Sequence, residues 1–183
     1  LHALHLPHDI GPAYGQARLT AEEKTAVLAL FKRRIDERIP ACYLTGEVWF
    51  AGLNFKSDAR ALVPRSPIAE LIESGFEPWL GGRPVESALD LCTGSGCIAI
   101  AMAHYNPEWR VDGVDISDDA LSLAAENKVR LYADNCHLIK SDLFTGLSGK
   151  VYDLIVTNPP YVTNDEPDAL PKEYAHEPDL GLR

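Results

Sequence analysis

Asn158, Pro159, Pro160 and Tyr161 are consecutive, and their types restrict the chemistry available to this chain more than any other segment. Neither proline has an N–H, so the segment offers carbonyl acceptors, one carboxamide and one aromatic face. That set suits a planar NH2 group. The Asn158 side-chain oxygen and the Pro159 carbonyl each accept one hydrogen, and Tyr161 packs on the plane. The plainer alternative is an ordinary proline turn capped by Asn158. A second constellation is Asp90-Leu91-Cys92-Thr93-Gly94-Ser95-Gly96. Gly94 and Gly96, with Thr93 and Ser95 between and before them, fall where a strand should turn into a helix and let backbone approach a ligand. By itself the motif fits a dinucleotide site or a tight turn. Asp115, followed by Ile116, ends an apolar run about 20 residues further on, where an acidic side chain accepts ribose hydroxyls. An N-cap is its plainer role, although Ser117 or Asp118 fits that better. Asp142, followed by Leu143, is placed to accept from the exocyclic amine of adenine, with Leu143 against the ring. A turn aspartate is the alternative there.

The acidic residues choose between cofactors. Asp90, Asp115 and Asp142 are expected to face one crevice, which would repel a pyrophosphate. A sulfonium cation would be attracted, by roughly 4 kcal/mol for unit charges 4 Å apart at an effective dielectric of 20. S-adenosylmethionine has no phosphate and carries that cation, so it is the expected cofactor.

The elements that must position these groups follow from pattern. Thr20-Ala21-Glu22-Glu23 has the capping-box form and predicts a helix to about Ile39, ended by Pro40. Gly46–Lys56 predicts a hairpin around Gly52-Leu53-Asn54. Ser66 as N-cap and Pro67 at the first helical position predict a helix to about Phe76. From Val85 the period changes. Strands are expected at Val85–Cys92, Trp109–Val114, His137–Lys140 and Val151–Thr157, with helices at Gly96–His104 and Asp118–Arg130. Alternation of this kind predicts an α/β, doubly wound parallel sheet, with ligands beyond the carboxyl ends of its strands. All four motifs fall at such ends.

Composition sets outer bounds. The chain has 183 residues, 46% of them hydrophobic and 24% charged, as in ordinary globular domains. Its 17 basic and 27 acidic residues give a net charge of −10, which argues against duplex DNA as the main partner and fits a basic protein. No apolar run approaches the roughly 18 residues of a membrane helix. Cys42, Cys92, Cys97 and Cys136 lack zinc-site spacing and read as reduced thiols of a cytoplasmic protein. His2, His5 and His8 recur every third residue, but Pro7 and the lack of helix signals disfavour a metal face. Trp49, Phe50 and Phe55 are expected to pack the hairpin rather than grip a ligand, and Arg65 to form an ion pair or touch a ligand. Cys97 could gain a lowered pKa at a helix start, although a small buried role is preferred for it. Asp165, Glu166 and Asp168 read as an acidic loop. With no initiating Met, and a chain that stops at Arg183, a piece of a longer protein is expected.

These segments resemble the glutamine-N5 protein methyltransferases. The resemblance runs from about Arg38 to Arg183 and includes Ile39–Gly46, Leu62-Val63-Pro64-Arg65, the glycine turn and Asn158–Tyr161. Ser66-Pro67-Ile68 after Arg65, and Cys92 in place of a glycine, are similar to the branch acting on ribosomal protein L-three rather than to the release-factor branch. The resemblance implies a Rossmann-like class I S-adenosylmethionine-dependent methyltransferase, preceded by a helix and a β-hairpin linker, with the C-terminal strands missing from this chain. It implies a partial helical segment at 1–45, a hairpin linker at 46–60 and a catalytic domain at 61–183. It further implies Asn158, Pro159 and Tyr161 as catalytic residues and Asn158–Tyr161 as the substrate site. Asp90, Thr93–Gly96, Asp115, Ile116, Asp142, Leu143 and Asn158 would hold the cofactor. The expected partner is a basic large-subunit ribosomal protein. Competing readings are the same chemistry on a release factor, adenine-N6 methylation of DNA, a cofactor-binding scaffold without turnover and, last, a nicotinamide oxidoreductase.

Overall fold

A computed structural model describes residues 2–4, 6, 11–162 and 171–182. His5, His8, Asp165, Glu166 and Asp168 lie outside the described residues, and with them the questions of a histidine face and an acidic loop. His2–Leu4 and Pro12–Gln16 form 3-10 turns. Helix α1 (Ala21–Asp36) opens with the expected capping box: Thr20 Oγ1 accepts the Glu23 N–H at 3.2 Å, and Glu23 Oε2 accepts the Thr20 N–H at 2.7 Å. It stops short of Ile39, because Ile39 precedes a proline and Arg38 turns to φ 60°. Pro40 then begins a short helix, α2 (Ala41–Thr45), that the pattern did not announce.

Strands β1 (Glu47–Phe50) and β2 (Leu53–Lys56) pair as the expected hairpin, but turn on Ala51-Gly52. Both turn residues have positive φ, 45° and 70°, the backbone that matches strand twist across a two-residue loop. Phe50 and Phe55 are buried and meet edge to face at 6.3 Å, while Trp49 is half exposed. Helix α3 (Ile68–Glu73) ends earlier than expected: Gly75 and Phe76 both take positive φ, and the Phe76 N–H donates to Leu71 O at 2.7 Å. Its capping position is Pro67, with Ser66 Oγ accepting the Ile68 N–H at 3.3 Å.

The remaining elements are β3 (Ser87–Leu91), α4 (Cys97–Tyr105), β4 (Arg110–Asp115), α5 (Asp118–Arg130), β5 (Cys136–Lys140), β6 (Leu154–Thr157) and α6 (Asp179–Leu182). The strands form one parallel sheet in the order β5-β4-β3-β6. β6 begins later than Val151 because Asp153 is used as a pin, accepting the N–H groups of Glu86 and Ser87 and the Ser87 hydroxyl. Seven consecutive residues of α4, Cys97 to Ala103, are buried, so this helix is apolar all round. It packs on Ala88, Val111, Cys136 and Val156 of one sheet face, together with Phe50, Phe55 and Ile72. Each fully buried Ile or Met side chain there contributes about 1.5–3 kcal/mol. Leu89, Leu91 and Val114 point to the other face, against Leu147. Strand alternation thus places Asp90 on the α4 side, beneath the glycine turn. Among the described residues no helix is long and apolar enough to cross a membrane.

Candidate active site

The register Leu91↔Thr157 sets the ends of β3 and β6 side by side. Thr157 Oγ1 donates to Leu91 O at 2.8 Å, tying the root of the Asn158 turn to the root of the glycine turn. Both turns therefore border one cavity, of about 320 Å³, at the carboxyl ends of the four parallel strands. Thr93, Gly94, Ser95, Asp115, Ile116, Asp142, Leu143, Asn158 and Pro160 all line it. Asp90, Gly96, Pro159 and Tyr161 do not.

Asp90 is the main departure from expectation. It is fully buried and does not face the crevice. Its Oδ2 accepts Thr93 Oγ1–H at 2.5 Å and the Ala99 N–H at 3.1 Å, so it holds the turn to α4 from below. Oδ1 has no partner among the described residues. Burial pushes this carboxyl up to about 7, against the lowering effect of its hydrogen bonds to Thr93 and Ala99. The two glycines also differ. Gly94 (φ 54°) lies on the cavity wall, and its N–H donates to Asp115 Oδ2 at 2.8 Å. Gly96 (φ 80°) faces protein: a Cβ there would come within 2.8 Å of Ile100 Cδ1 and 2.9 Å of Ala124 Cβ. Its lack of a side chain serves the α4–α5 contact.

Asp115 is oriented by backbone, since Oδ1 also accepts the Ser117 N–H at 3.0 Å. Each oxygen keeps acceptor capacity beyond that one bond. Leu143 sits at φ 45°, and its carbonyl accepts Ser141 Oγ–H at 2.9 Å. Ser141 Oγ also accepts the Gly146 N–H at 2.7 Å, so one hydroxyl fixes the turn carrying Asp142 and Leu143. Tyr161 is 73% exposed and away from the wall. Cys97 is buried, and burial pushes its thiol up to about 12, the reverse of an activated cysteine. Cys92 lines the cavity with φ 65°; burial, with Asp115 and Asp90 nearby, raises its pKa as well.

Several site residues escape sequence reasoning. Pro178, Leu180 and Gly181, which belong to no announced motif, close one side of the cavity, while the Arg60–Ser66 stretch, in which Leu62–Arg65 was singled out and Arg65 makes its expected ion pair, forms the wall facing the strand ends. Asn127 is fully buried. Its Oδ1 accepts the Lys56 N–H at 2.7 Å, and its Nδ2 donates to Lys56 O and Ser95 O at 3.1 and 3.0 Å. This one carboxamide docks the hairpin on the glycine turn. A signal existed: with Ala120, Leu123 and Ala124 it completes the buried stripe of α5.

The charge of the cavity tests which ligand fits. Its two arginines are already matched to carboxylates, Arg60 to Asp58 and Glu126, and Arg65 to Glu177. Asp115 and Asp142 remain as the acidic groups of the lining. The set fits a cation bearing a ribose and disfavours a pyrophosphate. Among the described residues no group of three or more His, Cys, Asp or Glu is arranged to hold a metal ion.

Residues 80–172 match the Methyltransferase small domain. The ribosomal protein uL3 glutamine methyltransferase of Xanthomonas campestris pv. campestris is 81% identical over 183 residues, all of this chain and 59% of that protein. The protein of the same description from Bordetella pertussis is 50% identical, over 100% of this chain and 62% of its own length. The chain thus spans 59–62% of the length of these relatives. Among solved structures, the hMettl16 catalytic domain in complex with MAT2A 3'UTR hairpin 6 superposes with a TM-score of 0.53 at 18% identity, covering 89% of this chain and 57% of that one. The fold is accordingly the Rossmann-like class I methyltransferase fold.

Proposed function

This chain belongs to the methyltransferase small-domain family, and from that membership we propose that it transfers a methyl group from S-adenosylmethionine to the side-chain amide nitrogen (N5) of a glutamine in a large-subunit ribosomal protein, in the cytoplasm. The observation that carries this reading is the shared cavity, bordered by the glycine turn on one side and by Asn158 on the other. The uL3 relatives support the choice of acceptor.

Bound there, the cofactor supplies a methyl carbon activated by its sulfonium. The rest of the work falls to this chain. Asp115 accepts the ribose hydroxyls, Asp142 and Leu143 take the adenine, and the backbone around Thr93, Gly94 and Ser95 meets the amino-acid end, with Ile116 beside the ribose. Asp90 and Gly96 serve this site from behind, by fixing the turn. An amide nitrogen is a weak nucleophile because its lone pair is delocalised into the carbonyl. The Asn158 oxygen accepts one amide hydrogen and so aims the lone pair at the carbon; the Pro159 carbonyl, off the cavity wall, accepts the other only if the bound substrate reaches it, while Pro160 shapes the wall. Nitrogen–carbon bond formation would accompany carbon–sulfur cleavage, with S-adenosylhomocysteine leaving in line and one amide hydrogen released as a proton to water, and catalysis is mostly positioning and electrostatics. Tyr161 joins this set only if substrate draws it toward the cavity. In this reading a helical segment at 1–45 and a hairpin linker at 46–60 lead into a catalytic domain at 61–183.

The test is incubation of the full-length protein with labelled S-adenosylmethionine and undermethylated ribosomal proteins, followed by mass mapping. Label on one glutamine of a large-subunit protein is expected. Label on an oligonucleotide or release factor instead would overturn the reading.

A further inference from the structure

The side of the cavity beyond Asn158 is closed by a contact that none of these roles uses. The Glu177 side chain is 2% exposed, and both carboxylate oxygens are engaged. Oε1 accepts Arg65 Nη1–H at 2.9 Å, and Oε2 accepts Arg65 Nη2–H and the Val63 N–H, each at 3.1 Å. The Arg65 guanidinium also lies 4.7 Å over the Tyr174 ring. Segment 171–182 is therefore clamped on the Leu62–Arg65 wall. The same segment is tied to the chain leaving the Asn158 turn, because the Val162 N–H donates to Leu182 O at 2.9 Å. The wall and the Asn158 turn thus border the same cavity, and Glu177 holds segment 171–182 against the wall. The other end of the wall is held separately, by Ala61 packing on Ala120 and Leu123 of α5.

We propose that the Arg65–Glu177 pair is a positioning element for the protein substrate, holding the Leu62–Arg65 wall opposite Asn158 so that the segment bearing the acceptor amide enters as a neutral, extended chain. A bidentate guanidinium–carboxylate pair fixes orientation as well as distance, which a single contact does not. The two charges cancel, and the lining around them, Leu62, Val63, Pro64, Pro160 and Leu180, is uncharged. This side suits a carboxamide on its methylene stem and penalises a charged side chain. The inference rests on the glutamine methyltransferase reading above.

The experiment compares full-length wild type, Glu177→Gln, Glu177→Asp and Arg65→Lys. Affinity for S-adenosylhomocysteine is read by calorimetry, and KM and kcat from methylation of undermethylated uL3. Glu177→Gln is expected to raise KM for the protein about tenfold, equivalent to about 1.4 kcal/mol. Its kcat and S-adenosylhomocysteine affinity should stay within about threefold, the pattern of a lost binding interaction rather than of lost chemistry. Glu177→Asp, which keeps the charge, falls between. Arg65→Lys, which keeps charge but loses the fork, carries the same KM expectation should the glutamine variant not fold. An unchanged KM, or an affinity for S-adenosylhomocysteine that falls in parallel with it, overturns the proposal. A wild type that binds S-adenosylhomocysteine yet methylates no ribosomal protein removes the underlying reading instead.

Discussion

Asn158 and Asp115 border one cavity, and their replacement should fail differently. On the proposed roles Asn158→Ala removes the acceptor that orients the amide, so kcat is expected to fall about a hundredfold or more while cofactor affinity changes little. Asp115→Ala removes hydrogen bonds made by a charged acceptor, so cofactor affinity should fall about ten- to a hundredfold. Single-turnover kinetics and calorimetry separate the two, and equal effects on both quantities would count against the division of roles. Asp90 makes a pH prediction. Its carboxyl is raised by burial from the ordinary 3.8 to about 7 in the fold, so the fold favours the protonated form. The stability that goes with this is full below the unfolded pKa and is lost as pH rises through about 7, at up to about 1.4 kcal/mol per pH unit. Between about pH 5 and about pH 8 wild type should therefore lose thermal stability relative to Asp90→Asn, which stays neutral. Parallel melting curves across that range would rule this out.

At the scale of elements, the glycine turn works because three neighbours agree on its shape. Thr93 is held by Asp90, Gly94 by Asp115, and the Ser95 carbonyl by Asn127. Gly96 lets α4 and α5 close over it, with no room for a Cβ. Gly96→Ala combines left-handed backbone strain with overpacking, and should cost about 2–4 kcal/mol, read as a lower Tm. A melt equal to wild type would show that the neighbours relax at no cost. The same scale explains the boundary errors. The α1 start was legible because its capping box is local, two residues three apart, Thr20 and Glu23, bonding to each other. The end of α1 was not, because it depends on positive φ at Arg38, a residue type that carries no such signal, whereas Gly75 past α3 did carry one that an end at Phe76 passes over.

Over this chain, 27 acidic residues against 17 basic ones give a surface that would attract the proposed basic partner from a distance. Raising ionic strength from about 0.05 to about 0.5 M should raise KM for the ribosomal protein several-fold while barely moving the affinity for S-adenosylhomocysteine, because only the first depends on long-range charge. A salt-independent KM would detach net charge from recognition. The Leu62–Arg65 wall and segment 171–182 belong to this scale too, since the ion pair joining them spans 112 residues.

The sequence alone determined the parallel α/β order, the four motifs at the strand ends and the acidic character of the cofactor side. Those features are written in local pattern: a period of two or 3.6, glycine and proline punctuation, and residue type at a fixed offset. It could not say which way a side chain points. Asp90 and Asp115 read alike as acidic residues facing one crevice, yet one is buried under α4 and the other lines the cavity. Gly94 and Gly96 read alike, yet one faces ligand space and the other a helix. The Asn127 clamp and the Arg65–Glu177 pair each join segments 71 or more residues apart. Only packing settles such choices, because a side chain's partner across the fold is set by where whole elements come to rest.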